Sequence, residues 1–264
     1  MNSLAGAEIL TPAGASVAAL MSLRIGAVLW VAPVFSARVL PMPLKAGVAV
    51  LLTVLLWRPP AAGSLVQVTI GTVLSELLIG MTLGLGAGIF VAAAEASGDM
   101  VAVQMGLSGA NVVDPMTQTQ LPVIGQYFAL FVTALILATG GHLAILAAMA
   151  SSFHTLPVAA PVDFAGGIWA VVGLGGTLLW LGLRFAAPVI GALMISNAAL
   201  GIMSRAVPQL NVLVISFPVQ IAVGLFVLVG AIPMIALVFQ DWPAMYMGLA
   251  TDLLDALTPT AGQR

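Results

Sequence analysis

Residues 64–105 read SLVQVTIGTVLSELLIGMTLGLGAGIFVAAAEASGDMVAVQM, an apolar run in which Glu76, Glu95 and Asp99 are the only charges. A helix needs about 20 apolar residues to cross roughly 30 Å of hydrocarbon. This run is therefore long enough for a helix to enter and return, or to form one long broken helix. Gly80, Gly84, Gly88, Ala92 and Ala96 recur at four-residue intervals within it. On a helix that spacing makes one shallow, side-chain-poor stripe, against which a second backbone can approach closely. The stripe predicts a helix-packing seam, either with another protein or inside the same bundle.

The remainder of the chain has the same character. Of 264 residues, 61% are hydrophobic and 6% are charged, whereas soluble domains carry roughly 25% charge. So little polar material cannot cover a soluble surface, and lipid is the solvent. Apolar runs fall at about 15–35, 44–57, 64–105, 122–139, 142–156, 166–206 and 212–239. They predict an all-α integral membrane protein built from kinked and broken helical hairpins. The run at 44–57 is short for a span and predicts a buried or re-entrant helix. Pro33, Pro188, Pro218 and Pro233 lie inside apolar runs, where each removes a backbone donor and predicts a kink.

The same composition excludes several classes of chemistry. There is no cysteine, hence no disulfide, thiolate nucleophile, iron–sulfur cluster or Cys-based zinc site. Lys45 is the single lysine and stands outside any phosphate-binding loop, and a net charge of −2 argues against nucleic acid. Two histidines, His142 and His154, lie twelve apart with no carboxylate at ligand spacing, which predicts neither metal nor cofactor. The N-terminus holds Glu8 and lacks a basic region, so the first apolar run is read as a membrane helix rather than a cleaved signal. Gly106-Leu107-Ser108-Gly109 matches the G-x-S-G string of rhomboid-type proteases, but Ser108 stands in a polar stretch leading to Asp114-Pro115, away from the helix head that such a serine needs. No catalytic residue is assigned, and the chain is not read as an enzyme.

Two breaks interrupt the apolar pattern. Residues 106–122, GLSGANVVDPMTQTQLP, form a polar stretch of a length more often functional than connecting. Residues 157–167 form a Pro/Gly/Asp connector, and the main internal boundary is placed there, dividing 1–160 from 161–264. In the tail, Met245, Leu249, Leu253 and Leu257 fall near one helical face with Asp252 and Asp255 off it. An acidic polar face does not suit a membrane surface, so docking on another protein is predicted. Arg24, Glu76 and Arg184 sit amid apolar residues, where a mid-membrane charge costs about 2.5–3.5 kcal/mol. Pairing, a wet cavity or snorkelling is required of them. Glu95 and Asp99, four apart and alike in charge, predict a wet helix end. Arg38, Lys45 and Arg58 cluster around the short second run, a bias too small to fix topology.

Gln104-Met105-Gly106-Leu107-Ser108 followed by Val113-Asp114-Pro115 resembles the FliR family of bacterial flagellar biosynthetic proteins. So do Gly141-His142-Leu143, Ser152-Phe153-His154-Thr155-Leu156-Pro157, Leu200-Gly201, Arg205, Pro208-Gln209-Leu210 and Phe217-Pro218, in order and spacing. Arg24, Pro33, Pro41 and Lys45 fit the family's N-terminal pattern, and the likeness covers roughly residues 20–240. The resemblance implies an export-gate subunit of the flagellar type III protein secretion apparatus, multi-pass in the bacterial cell inner membrane at the flagellar basal body. It implies a hetero-oligomeric complex with FliP and FliQ around the channel for unfolded flagellar export substrates, with FlhB and FlhA as further partners. Residues 1–160 would be the FliP-like part, and 161–264 the FliQ-like hairpin with its amphipathic tail. Energy would come from elsewhere in the apparatus, in keeping with the missing nucleotide site.

The resemblance also gives the polar stretch a role as channel plug, carried by Gly106, Leu107, Ser108, Gly109, Ala110, Asn111, Val112, Val113, Asp114 and Pro115 and running on to Pro122. The chain departs from the family at Gly109 and Val112, where aromatic residues are usual, and at Asp99, where glutamate is. The alternative is a conventional multi-span membrane transporter with inverted repeats and broken helices. No convincing internal repeat supports it, and the motif series has no place in it.

Overall fold

A computed structural model describes residues 11–36, 41–57, 66–107, 123–207 and 212–259. Among them the secondary structure is helical, with α1 Pro12–Val31, α2 Met42–Leu55, α3 Ile70–Gln104, α4 Val123–Ala138, α5 Gly141–Thr155, α6 Phe164–Ala206, α7 Val212–Gln240 and α8 Trp242–Leu257. The protein is thus an all-α integral membrane protein. α1, α3, α6 and the 215–240 part of α7 are each long and apolar enough to cross a membrane, and α4 with α5 meets the same test as one broken span.

Local sequence explains where the helices begin and end. Thr11 caps α1, its hydroxyl accepting from the Gly14 N–H at 3.1 Å, with Pro12 in the first turn where no donor is missed. α1 stops at Val31 because Pro33 forces Ala32 out of the helical region, to φ −62° and ψ 135°. Pro33 therefore ends a helix rather than kinking one. Pro188, Pro218 and Pro233 do lie inside helices. Gly140, at φ +75°, supplies the left-handed residue that separates α4 from α5.

The two longest apolar runs resolve as single helices. α3 has 35 residues and α6 has 43, contour lengths of about 52 and 64 Å at 1.5 Å per residue. Both exceed a bilayer's hydrocarbon thickness. The short second run forms α2, which is not buried within the chain: Val50 is 60% and Leu55 69% exposed, and only Ala49 and Thr53 of this helix are buried. Of the expectation of a buried or re-entrant helix, burial within this chain alone is not found, and most of the apolar surface of α2 is left open.

The chain divides into two compact units. The first comprises residues up to 89, 140–175 and 243 onward. Its buried residues include Leu20, Ile25 and Val28 of α1, Ile79 and Leu83 of α3, and Ile145, Ala148 and Met149 of α5. α8 closes this unit. The Tyr246 hydroxyl donates to the Leu83 carbonyl at 3.1 Å, and Leu253 lies over Gly86, where a Cβ would come within 2.7 Å of Leu253 Cδ1. Leu257 is fully buried, and its carbonyl accepts from the Asp163 N–H at 3.0 Å. The tail's apolar face thus docks on its own chain, correcting the expectation of another protein. Asp252 and Asp255 stay exposed. Burial pushes the Tyr246 phenol above its ordinary pKa, so it stays a hydrogen-bond donor through the physiological range.

The second unit comprises 90–139 and 176–242. Val101, Met105, Ala186, Val189 and Leu193 form its core, flanked by Ile124, Val223 and Val227. Phe90 meets Phe239 and Trp242 edge-on, at centroid distances of 6.5 and 5.7 Å. Lipid does not drive helices together as water does, so contact depends on close backbone approach. Gly98 provides it: a Cβ there would lie 2.7 Å from Gly125 Cα on α4. Asp99 rests against Gly125 at this crossing, while Glu95 is exposed.

Candidate functional site

Arg24 and Glu76 meet. Arg24 Nε donates to Glu76 Oε2 at 2.6 Å, with both residues fully buried. The guanidinium does more than pair. Nη1 donates to the carbonyls of Ser152 at 3.2 Å and Leu156 at 2.8 Å, and to Ser152 Oγ at 3.2 Å. Leu156 is the residue that ends α5, so the cation stands where a helix exposes its unpaired carbonyls and negative dipole end. The guanidinium also lies 4.4 Å from the centroid of the Phe153 ring. Nη2 has no hydrogen-bond partner among the described residues.

Glu76 uses its second oxygen as well. Oε1 accepts from the Ala159 N–H at 2.9 Å. Ala159 has φ +62°, a left-handed conformation that costs a Cβ-bearing residue about 1–2 kcal/mol. The carboxylate therefore holds a strained turn just beyond α5 while pairing with α1. One ion pair joins α1, α3, the end of α5 and the connector at 157–160. Ser152, Phe153, Leu156 and Ala159 carried no assigned role in the sequence. Backbone acceptors leave no mark in residue identity, although Ser152, Phe153 and Leu156 stood in a family motif.

Arg184, grouped from the sequence with Arg24 and Glu76 as a charge needing burial or pairing, is exposed on this chain and is not in this cluster. It belongs to the second unit, with its guanidinium 5.0 Å from the centroid of the Trp180 ring. An aromatic face is a fitting partner for a cation that lipid would otherwise surround.

The small-residue stripe faces this chain's own helices. A Cβ on Gly80 would collide with the Arg24 carbonyl oxygen and lie 2.7 Å from Ala27 Cβ. On Gly84 it would lie 2.9 Å from Val31 Cβ. Gly88 has the Val31 carbonyl at 4.0 Å, and Ala96 approaches Gly182 at 3.8 Å by the same measure. Ala92 is half-buried. Gly80 thus lets α3 close on α1 at the level where Glu76 reaches Arg24. Gly80→Ala is expected to destabilise the protein by about 1–3 kcal/mol through overpacking. Gly191→Ala, where nothing lies within 4 Å, should be close to neutral. Thermal melting of the wild type and both variants, each purified within its membrane complex, checks this, and equal melting points would remove the seam.

Of the polar stretch, Gly106 and Leu107 are described, while Ser108, Gly109, Ala110, Asn111, Val112, Val113, Asp114 and Pro115 lie outside the described residues, as do Arg38 and Arg58. Gly106 ends α3 at φ +77°, its N–H donating to the Val103 carbonyl at 3.0 Å. This is the left-handed position at which glycine terminates helices without strain.

A family described as bacterial export proteins, family 1, matches residues 15–244. The flagellar biosynthetic protein FliR of Pectobacterium carotovorum subsp. carotovorum is 32% identical over 89% of this chain and 91% of its own length. That of Escherichia coli K12 is 30% identical over 89% of this chain and 91% of its own. That of Bacillus subtilis 168 is 30% identical over 84% and 88%.

Proposed function

Because this chain belongs to the FliR family of flagellar biosynthetic proteins, within the bacterial export proteins of family 1, we propose that it joins FliP and FliQ to enclose the membrane channel through which unfolded flagellar proteins leave the cell. The coarser statement, a multi-pass membrane component of the flagellar export apparatus, rests directly on that family and on the apolar helices. The finer reading places it in the bacterial inner membrane at the basal body, with FlhB and FlhA as neighbours. In it, residues 1–160 act as a FliP-like part, 161–264 act as a FliQ-like hairpin, and the stretch from Gly106 to Pro122 acts as the plug.

The observation that carries this reading is a family match over residues 15–244, which reaches into every candidate span among the described residues. Two features of the molecule support it. α3 and α6 are longer than a bilayer is thick, which suits an assembly that rises out of the membrane plane. Large side chains such as Phe226, 82% exposed, and Ile195, 74% exposed, leave apolar surface for lipid or partner helices.

Co-expression tests it. The chain expressed alone is expected to be unstable, and expression with FliP and FliQ should yield a defined complex. A stable monomer that never co-purifies with either protein would sink the proposal.

A further inference from the structure

Two motifs far apart in sequence, Gln104-Met105-Gly106 and Phe217-Pro218, come together inside the second unit. A Cβ on Gly106 would lie 2.8 Å from Phe217 Cδ1 and Cε1 and 3.5 Å from Gln220 Oε1. Gly106 is therefore required twice, for its positive φ and for the ring laid across it. Met105, fully buried, fills the space that Gly224 leaves one turn further along α7, where a Cβ would lie 3.0 Å from Met105 Sδ. Phe217, Gln220 and Gly224 thus share one face of α7, at the spacing that aligns residues over two turns.

Gln220 is fixed in turn, its Nε2 donating to Asn197 Oδ1 on α6 at 2.6 Å. Two amides in otherwise apolar helices carry a desolvation cost that packing alone does not require. Here they fix the Gln220 side chain beside the backbone at Gly106, where the chain leaves α3.

We infer that Phe217, Gln220 and Asn197 are positioning residues that clamp the root of the polar segment at Gly106 and set where that segment leaves the helix. Their importance for export rests on the plug reading above; the clamp itself does not.

The chain has no cysteine, so Leu107→Cys gives it a single thiol beside the root, at a position 42% exposed in the wild type. The measurement is the rate of maleimide modification of that thiol, read as a mass shift, in membranes holding the assembled export apparatus. Gln220→Leu and the milder Phe217→Leu are each expected to raise the rate about three- to tenfold, the population change that losing one net hydrogen bond or contact produces. A Leu137→Cys thiol, 44% exposed in the same unit, should react unchanged. Unchanged modification at Leu107→Cys, or an equal rise at Leu137→Cys, overturns the clamp. Ion leakage through the same assemblies separates the two readings. Faster modification without leakage upholds the clamp and removes the plug. Unchanged modification, with leakage on deleting the loop, upholds the plug and removes the clamp.

Discussion

Glu76→Ala is expected to cost on the order of 3–5 kcal/mol, the loss seen when one member of a buried ion pair is removed. The yield of assembled complex should fall to a small fraction of wild type, and swimming with it. Arg24 would keep its bonds to the end of α5 but lose its counter-charge in a buried, membrane-level site. The Ala159 N–H would lose its acceptor and the turn its support. Replacing both partners should partly restore the complex, because Glu76→Leu with Arg24→Met leaves no unpaired buried charge, although the Leu156 carbonyl and the Ala159 N–H still lose their partners. Ala159→Gly should recover about 1 kcal/mol in the Glu76→Ala background, since glycine accepts the left-handed turn without an anchor. Complex yield after detergent extraction and motility on soft agar measure the series. Wild-type values for Glu76→Ala would show that the charge is solvated and the pair inert.

The need to compensate these charges was legible in the sequence; that a pair does it for Arg24 and Glu76 was not. Three charges in apolar runs demand compensation whatever the fold. Which arginine lies beside Glu76 depends on how α1 approaches α3, and that approach is decided at Gly80, where the Arg24 carbonyl occupies the place of a side chain. The stripe showed that some backbone comes close, without saying whose. Half of the site was invisible for a simpler reason: Arg24 is held by the carbonyls of Ser152 and Leu156, and any residue carries a carbonyl.

The helical membrane class followed from composition because the bilayer permits few alternatives. The errors came where the partner had to be guessed. The tail's face of Met245, Leu249, Leu253 and Leu257 was visible by period, but its docking place on this chain, which leaves Met245 exposed, depends on Gly86 and on the Leu83 carbonyl. Those sit in the middle of a helix whose own pattern is apolar throughout. α2 differs. Its shortness suggested a buried or re-entrant helix, and this chain by itself covers little of it.

Deleting residues 108–118 is expected to turn the closed assembly into one that leaks ions. This rests on the polar stretch lying in the channel. It is too polar to face lipid and too long for a simple connector, so a wet interior is its natural place. In that reading a polar segment blocks by occupying space. Volume then matters at Gly109 and Val112, two small positions of the stretch. A ring brings about 150–250 Å² of surface, so Gly109→Phe with Val112→Phe should reduce any basal leak and slow export. Both effects require the partner subunits, because this chain alone does not enclose the channel in the proposed arrangement. Conductance of membranes, or salt sensitivity of cells, measured at matched amounts of assembled complex reads the result. If the deletion leaves an intact complex with unchanged leakage, the stretch is an external connector, and the seal must be made by partner residues.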